Sequence, residues 1–252
     1  MMTVGWGAMC ALPVQQSTGV GRPTAVVKAA VTPPPAPAPE PPAMVPPQLM
    51  PPNCDIEPCL ALTFDDGPYT GTTMQLVNTL DAHHARATFF MLGSQVIKHP
   101  EIARAVQAEG HEIGNHSWGH GNFTKMQPVQ MIEDFTHAQK AFQDAGVTAP
   151  RLFRPPYGAR NAIVLSAIPI TFAYWNIDPK DWGVKDPAHL ADVVVASAKP
   201  GGIMVLHDIK PQTIAAAASF VPRLQQHYRL VTVSELMNLA PDSPKSEIFG
   251  RQ

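Results

Sequence analysis

Neither sign of charge dominates this sequence: Lys plus Arg number 18 against 20 Asp plus Glu. A broad basic surface for nucleic acid or anionic lipid is therefore excluded. No run approaches the ~20 apolar residues that a membrane-spanning helix needs. Cysteine is scarce, with 3 in 252 residues, and too few remain together to complete a four-ligand zinc site. No GxSxG elbow occurs, so a serine hydrolase of the usual α/β kind has no nucleophile. What is plentiful is apolar content, 45% of the chain, which supplies a substantial core and rules out disorder throughout.

Proline is the unusual presence, and its excess is local. Of 28 prolines, 11 lie between Pro33 and Pro52. Residues 32–53 read as a disordered Pro-rich linker with no apolar periodicity. At ~3.1 Å per residue an extended polyproline segment of this length spans roughly 60 Å. Residues 1–31 read as an incomplete export signal or a variable N-terminus: Met1–Val14 is apolar over the length of a signal h-region, but the basic n-region is missing. Cys54 and Cys59 stand where the linker ends, and a small disulfide loop is favoured over free thiols. So short a loop stabilises by roughly 2 kcal/mol and requires an oxidising compartment.

From residue 54 to 240 the chain alternates short β-rich runs with longer helical patterns; residues 241–252 read as a polar C-terminal tail. Strands are expected at Leu60–Phe64, Ala87–Leu92, His111–Asn115, Arg151–Arg154, Thr171–Ile177, Gly202–Leu206 and Arg229–Val233. Helices are expected at Thr72–Ala82, Pro100–Ala108, Pro128–Ala145, Ala188–Ala198 and Gln212–Gln226. Strand and helix in alternation indicate a parallel sheet. An irregular, distorted (β/α)7-type barrel is the first choice, and a doubly wound open sheet the second, because periodicity does not report closure.

Polar residues gather where these strands end. Asp65 and Asp66 follow the first, His116 and His120 the third, Arg154 ends the fourth, Asp178 and Asp181 follow the fifth, and His207 and Asp208 end the sixth. Parallel α/β folds build their sites at these carboxyl ends. In HSWGH, histidines four apart can share one side of a helical turn, and with a carboxylate from Asp66 they leave open positions on a divalent metal. Taken alone, HxxxH is equally well explained by surface or core histidines; the paired Asp beside it favours the metal. The run His111–His116 imitates HExxH but has one residue too many, and Gly114 disfavours a helix. Of two adjacent carboxylates at a strand end, one can bind metal while the other accepts a proton. Arg154 can orient a carboxylate through its guanidinium fork.

TFDDGP (Thr63–Pro68), HSWGH (His116–His120), RPPYG (Arg154–Gly158), DPKDW (Asp178–Trp182) and VLHD (Val205–Asp208) resemble, in order, the five motifs of the polysaccharide deacetylases of carbohydrate esterase family 4. The resemblance covers about Cys59 to Leu239. It implies a distorted (β/α) barrel that removes acetyl groups from N-acetylated sugars with a divalent metal, usually Zn, with Co or another divalent ion as alternatives. By the same resemblance Asp65 is the catalytic base, Asp66, His116 and His120 hold the metal, and Arg154 positions the base. The Tyr157 backbone N–H is then the oxyanion donor, Asp181 and Trp182 support the catalytic histidine, Leu206 walls the acetyl pocket, and His207 is the general acid. Asp178 matches a motif position without an assigned role. Gly121 stands where the family often has proline, which implies a looser loop there. Ile209–Thr213 resembles the extension found in bacterial wall-glycan deacetylases and favours peptidoglycan over xylan or chitin.

The expected partner is therefore a glycan, peptidoglycan or a chitin-like oligomer, met outside the cytoplasm, in secreted or envelope-associated form. No nucleic acid is expected; oligomeric state is left open, a monomer being the favoured form. An acetyl-xylan O-deacetylase using the same residues is the nearer alternative. A non-catalytic glycan-binding module is the further one, and the complete set of polar residues argues against it.

Overall fold

The structure, a computed structural model, describes residues 51–251. The expected export segment and residues 32–50 of the expected linker lie outside the described residues.

Among the described residues eight strands form one sheet: β1 (Cys59–Asp65), β2 (Thr88–Met91), β3 (Glu112–Asn115), β4 (Leu152–Phe153), β5 (Thr171–Ala173), β6 (Ile203–His207), β7 (Arg229–Val231) and β8 (Glu247–Ile248). The helices are α1 (Thr73–Ala82), α2 (Gly93–Val96), α3 (Pro100–Ala108), α4 (Pro128–Asp144), α5 (Ala162–Ala167), α6 (Pro187–Ser197), α7 (Pro211–Gln225) and α8 (Val233–Leu236). All seven residues of β1 are buried, as expected of a central parallel strand covered on both faces. Side-chain alternation still sorts them. Leu60, Leu62 and Phe64 join the core with Leu76 of α1 and Phe220 of α7, whereas Cys59 and Ala61 join an inner cluster with Phe90 and Ile203. Thr63 and Asp65 share that inner phase, so strand periodicity alone directs the Asp65 carboxylate into the middle of the sheet.

Parallel ladders run β6–β1–β2–β3–β4–β5–β8, and β7 pairs the first residues of β1. Beyond β5, Ile177 bridges Met204 of β6, so the ladder returns on itself. That return makes the sheet a distorted barrel rather than a doubly wound open sheet. Pro100, Pro128, Pro187 and Pro211 open α3, α4, α6 and α7, where the missing N–H has no intrahelical partner to lose. Four of the prolines outside the linker are thus helix punctuation.

One expectation needs correction. Residues 241–252 are not simply a polar tail: Glu247 and Ile248 pair in parallel with Phe172 and Ala173, and Gly250 bridges Gly202. At the other end Cys54 is disulfide-bonded to Cys59, the first residue of β1.

Candidate active site

The carboxyl ends of β1, β3, β4 and β6 bring Asp65, Asp66, His116, Arg154 and His207 to one end of the barrel. Asp65 and His207 face each other in register on adjacent strands. Among the described residues, five of the seven non-glycine residues with positive φ lie in the motifs: Asp66 (81°), Ser117 (79°), His120 (63°), Tyr157 (62°) and Lys180 (56°). Each left-handed residue costs about 1–3 kcal/mol and persists only where its surroundings over-determine it. HSWGH is consequently a strained loop rather than the helical turn expected. It is not loose either. Ser117 N–H donates to Asn115 Oδ1 (2.8 Å), His120 N–H to Ser117 Oγ (2.9 Å) and Trp118 N–H to Asp134 Oδ1 (2.7 Å). A Cβ on Gly121 would lie 2.2 Å from the Met126 methyl, so the end of the Met126 side chain packs against this glycine.

Asp66 Oδ1 lies 3.5 Å from His116 Nε2 and 3.2 Å from His120 Nε2. It is buried without a hydrogen bond, an orphaned anionic oxygen that would be costly unless a cation met it. His116 Nδ1–H donates to the Arg154 carbonyl at 2.7 Å, which leaves the Nε2 lone pair facing Asp66. Burial lowers the His116 pKa against the opposing Asp65 and Asp66 charges, favouring the neutral, ligating form. The three ligand atoms lie within 4.8 Å of one another. Donor chemistry and orphaned oxygen both fit a divalent metal with open coordination positions. The decoy histidine His111 lies at the opposite end of β3, its Nδ1 accepting from Ala87 N–H.

Asp65 is excluded from that trio by Arg154, which is fully buried. Arg154 Nη1 donates to Asp65 Oδ1 (2.8 Å) and Thr63 Oγ1 (2.7 Å), Nε to Ala173 O (2.8 Å) and Nη2 to Tyr174 O (2.9 Å). The guanidinium lies 4.0 Å from the Phe90 ring centroid. Four acceptors and an aromatic face fix one orientation of the fork, and the fork fixes Asp65. Removing one partner of a buried pair leaves the other uncompensated, so Arg154→Met is expected to lower unfolding free energy by about 3–5 kcal/mol. Urea denaturation checks this; a loss within about 1 kcal/mol, on the order of a surface change, would show that the fork does not neutralise Asp65.

Across the site, His207 Nδ1 meets Asp181 Oδ1 at 2.8 Å, while Asp181 Oδ2 accepts from His207 N–H (2.8 Å) and Thr213 Oγ1 (2.7 Å). Burial opposes charge on His207, but the hydrogen bond and charge of Asp181, aided by Asp65 and Asp66, outweigh it and raise the pKa to about 9. Asp208 turns away: its Oδ2 accepts from Thr73 Oγ1, and a Cβ on Gly67 would lie 2.1 Å from that oxygen. Close packing against Asp208, besides turn geometry, thus explains Gly67.

A cavity of about 440 Å³ is lined by Asp65, Asp66, His116, His120 and His207 together with Tyr157, Trp175, Asp178, Trp182 and Val205. Every expected metal and acid–base residue is therefore in one place, with Arg154 behind Asp65 and Asp181 behind His207. Leu206 is the exception. It lies in the core beneath the helices, and Val205 lines the cavity instead. Alternation along β6 puts position 205, two before His207, on the cavity side, a signal available in the sequence. Thr63, Trp175 and Thr213 were also missed. Trp175 falls inside an expected strand, and Thr213 reaches Asp181 from a helix that no local pattern ties to it.

The family model for polysaccharide deacetylase matches residues 53–169. A peptidoglycan-N-acetylglucosamine deacetylase of Bacillus cereus is 38% identical over 190 residues, covering 72% of this chain and 89% of that one. One of Listeria monocytogenes is 38% identical over 178 residues, 70% of this chain; the match spans only 38% of that longer relative. The solved peptidoglycan deacetylase PdaC of Bacillus subtilis superposes with a TM-score of 0.71 at 36% identity, covering 73% of this chain and 91% of that one.

Proposed function

The chain belongs to the polysaccharide deacetylase family, and from that footing we propose that it is a hydrolase removing N-acetyl groups from N-acetylglucosamine-containing glycan, with peptidoglycan as the substrate class and zinc as the metal. The observation that carries this reading is the opposed pair across the cavity. Asp65, oriented by buried Arg154, faces His207, held protonated by Asp181.

Asp66, His116 and His120 would hold the metal, which supplies Lewis-acid polarisation of the acetyl carbonyl and eases ionisation of water. Asp65 takes the proton of the attacking water; His207 gives one to the amine as the C–N bond breaks, since an amine leaves poorly without it. Tyr157, left-handed beside His120, is the residue whose backbone N–H meets the developing oxyanion. The aromatic walls Tyr157, Trp175 and Trp182 suit the apolar face of a sugar ring.

The same reading places the protein outside the cytoplasm. The Cys54–Cys59 disulfide supports this, as do the apolar Met1–Val14 and the proline-rich spacer composition of residues 32–52. Among the described residues no helix is long and apolar enough to cross a membrane.

Acetate release from peptidoglycan, chitin oligomers and acetyl-xylan is the test, run on one sample with metal analysis. Release from wall glycan is expected to exceed that from acetyl-xylan, to disappear with chelator, and to return with Zn²⁺ or Co²⁺. A folded, metal-loaded protein that releases acetate from none of them overturns the proposal.

A further inference from the structure

We propose that the C-terminal segment Glu247–Arg251, remote from the cavity, is a positioning strap for the catalytic base. The inference rests on Asp65 acting as that base. Two of the four acceptors of Arg154 are the carbonyls of Ala173 and Tyr174. These belong to β5 and the residue after it, a three-residue strand whose other neighbour, β4, has only two. So short a ladder does not hold two carbonyls still by itself.

The strap supplies what β5 lacks. Phe172 N–H donates to Ser246 O (2.9 Å) and Tyr174 N–H to Ile248 O (2.8 Å). The Tyr174 ring stacks on Phe249 at 4.8 Å with the planes 12° apart. Arg160, just beyond the RPPYG motif, lies 5.7 Å from the Phe249 ring centroid and grips Glu247 with Nε and Nη2 (2.5 and 3.0 Å). The far end is anchored separately. Arg251 N–H donates to Gly201 O (2.7 Å), and its side chain pairs with Asp55 inside the disulfide loop. The approach is close enough that a Cβ on Gly201 would lie 2.4 Å from Arg251 O. The strap is thus tied to β5, to the loop after Arg154 and to the start of the barrel. Glu247, Phe249 and Arg251 are absent from the cavity wall, so any effect on catalysis is indirect, and the hydrogen bonds through Tyr174 and Arg154 lead it to Asp65.

This separates positioning from substrate binding. Misplacing a catalytic group by about 1 Å costs on the order of 10²-fold in rate, and a chain ending at Pro244 is expected to lose about that much in kcat. Phe249→Ala is expected to lose about tenfold, a partial displacement on the same scale. In both, KM stays within about twofold and Zn²⁺ affinity, titrated with the metal alone, is unchanged. Glu247→Arg is expected to lower kcat, and adding Arg160→Glu to restore it. Hydrogen exchange at the Arg154 Nε–H, followed by NMR, reads the strap without requiring activity: it should accelerate in every variant that lowers kcat and recover in the swapped pair. Should the shortened chain not fold, Phe249→Ala and the swapped pair decide. Unchanged kcat and unchanged Arg154 exchange in Phe249→Ala overturn the inference, as does a loss in which KM and Zn²⁺ affinity change equally. If the intact chain releases no acetate from any glycan, the functional reading fails, while Arg154 exchange still decides whether the strap positions the fork.

Discussion

Asp65→Asn is expected to reduce acetate release by about 10²–10⁴-fold, the range ascribed to a positioned general base, while Zn²⁺ binding survives. Asparagine keeps an oxygen where Asp65 Oδ1 accepts from Arg154 Nη1 at 2.8 Å, so the fork retains its geometry. What is lost is the ability to take a proton, together with the counter-charge that Arg154 faces in a fully buried position. The candidate metal trio is a separate set, Asp66, His116 and His120; Asp65 Oδ2 lies 3.9 Å from His116 Nε2. Single-turnover acetate release, paired with zinc titration of the same protein, separates the two carboxylates. Activity within about threefold of the parent, far short of a general base's worth, would place the base elsewhere, and loss of zinc affinity would move Asp65 into the metal set.

How much of this was legible in the sequence depended on whether the deciding contacts were local. β1 was readable because a strand buried on both faces is a nearly continuous apolar run, broken here only by Thr63 before its acidic end, and that end places Asp65 and Asp66. The proline-opened helices were readable to within a residue because Pro at the first helical position marks a start. β8 was not, since two residues carry no periodicity and its partner β5 lies some 75 residues away. α2 and α8, four residues each, were hidden for the same reason. In the site, residue types and strand ends pointed to a candidate metal trio and a second carboxylate free to act as base, while His207 as candidate acid came from the family resemblance. The error at Leu206 came from matching a motif without applying the two-residue alternation that puts Val205 beside His207. The four-fold engagement of Arg154 could not be read at all: its acceptors come from β1 and from β5 and its end, and only folding assembles them.

Asp181→Asn should combine a rate loss with a change in pH dependence, and the direction of the latter follows from the forces on His207. In the intact site burial pushes the imidazole toward neutrality, and Asp181 reverses this, raising the pKa to about 9 with help from Asp65 and Asp66. A raised pKa means that the proton-donating form is populated below that value and lost as pH climbs through it, so the alkaline limb of kcat/KM belongs to His207. A divalent cation held there would offset the Asp65 and Asp66 contributions, leaving Asp181 as the main force holding the limb up. Removing its charge leaves burial unopposed on that side, and the limb must move down, toward or below the ordinary 6.5. The substituted amide would also keep an oxygen for the hydrogen bonds from Thr213 Oγ1 and His207 N–H only by turning its NH₂ toward Nδ1, which must then accept and so cannot carry the second proton of the imidazolium. At neutral pH the imidazolium is then scarce, and kcat should fall by about 10²–10⁴-fold, the worth of a positioned general acid. The pH–rate profile distinguishes this from simple structural damage, which would lower the whole curve without moving its alkaline limb. A limb that stays in place would assign the proton donor to a group other than His207.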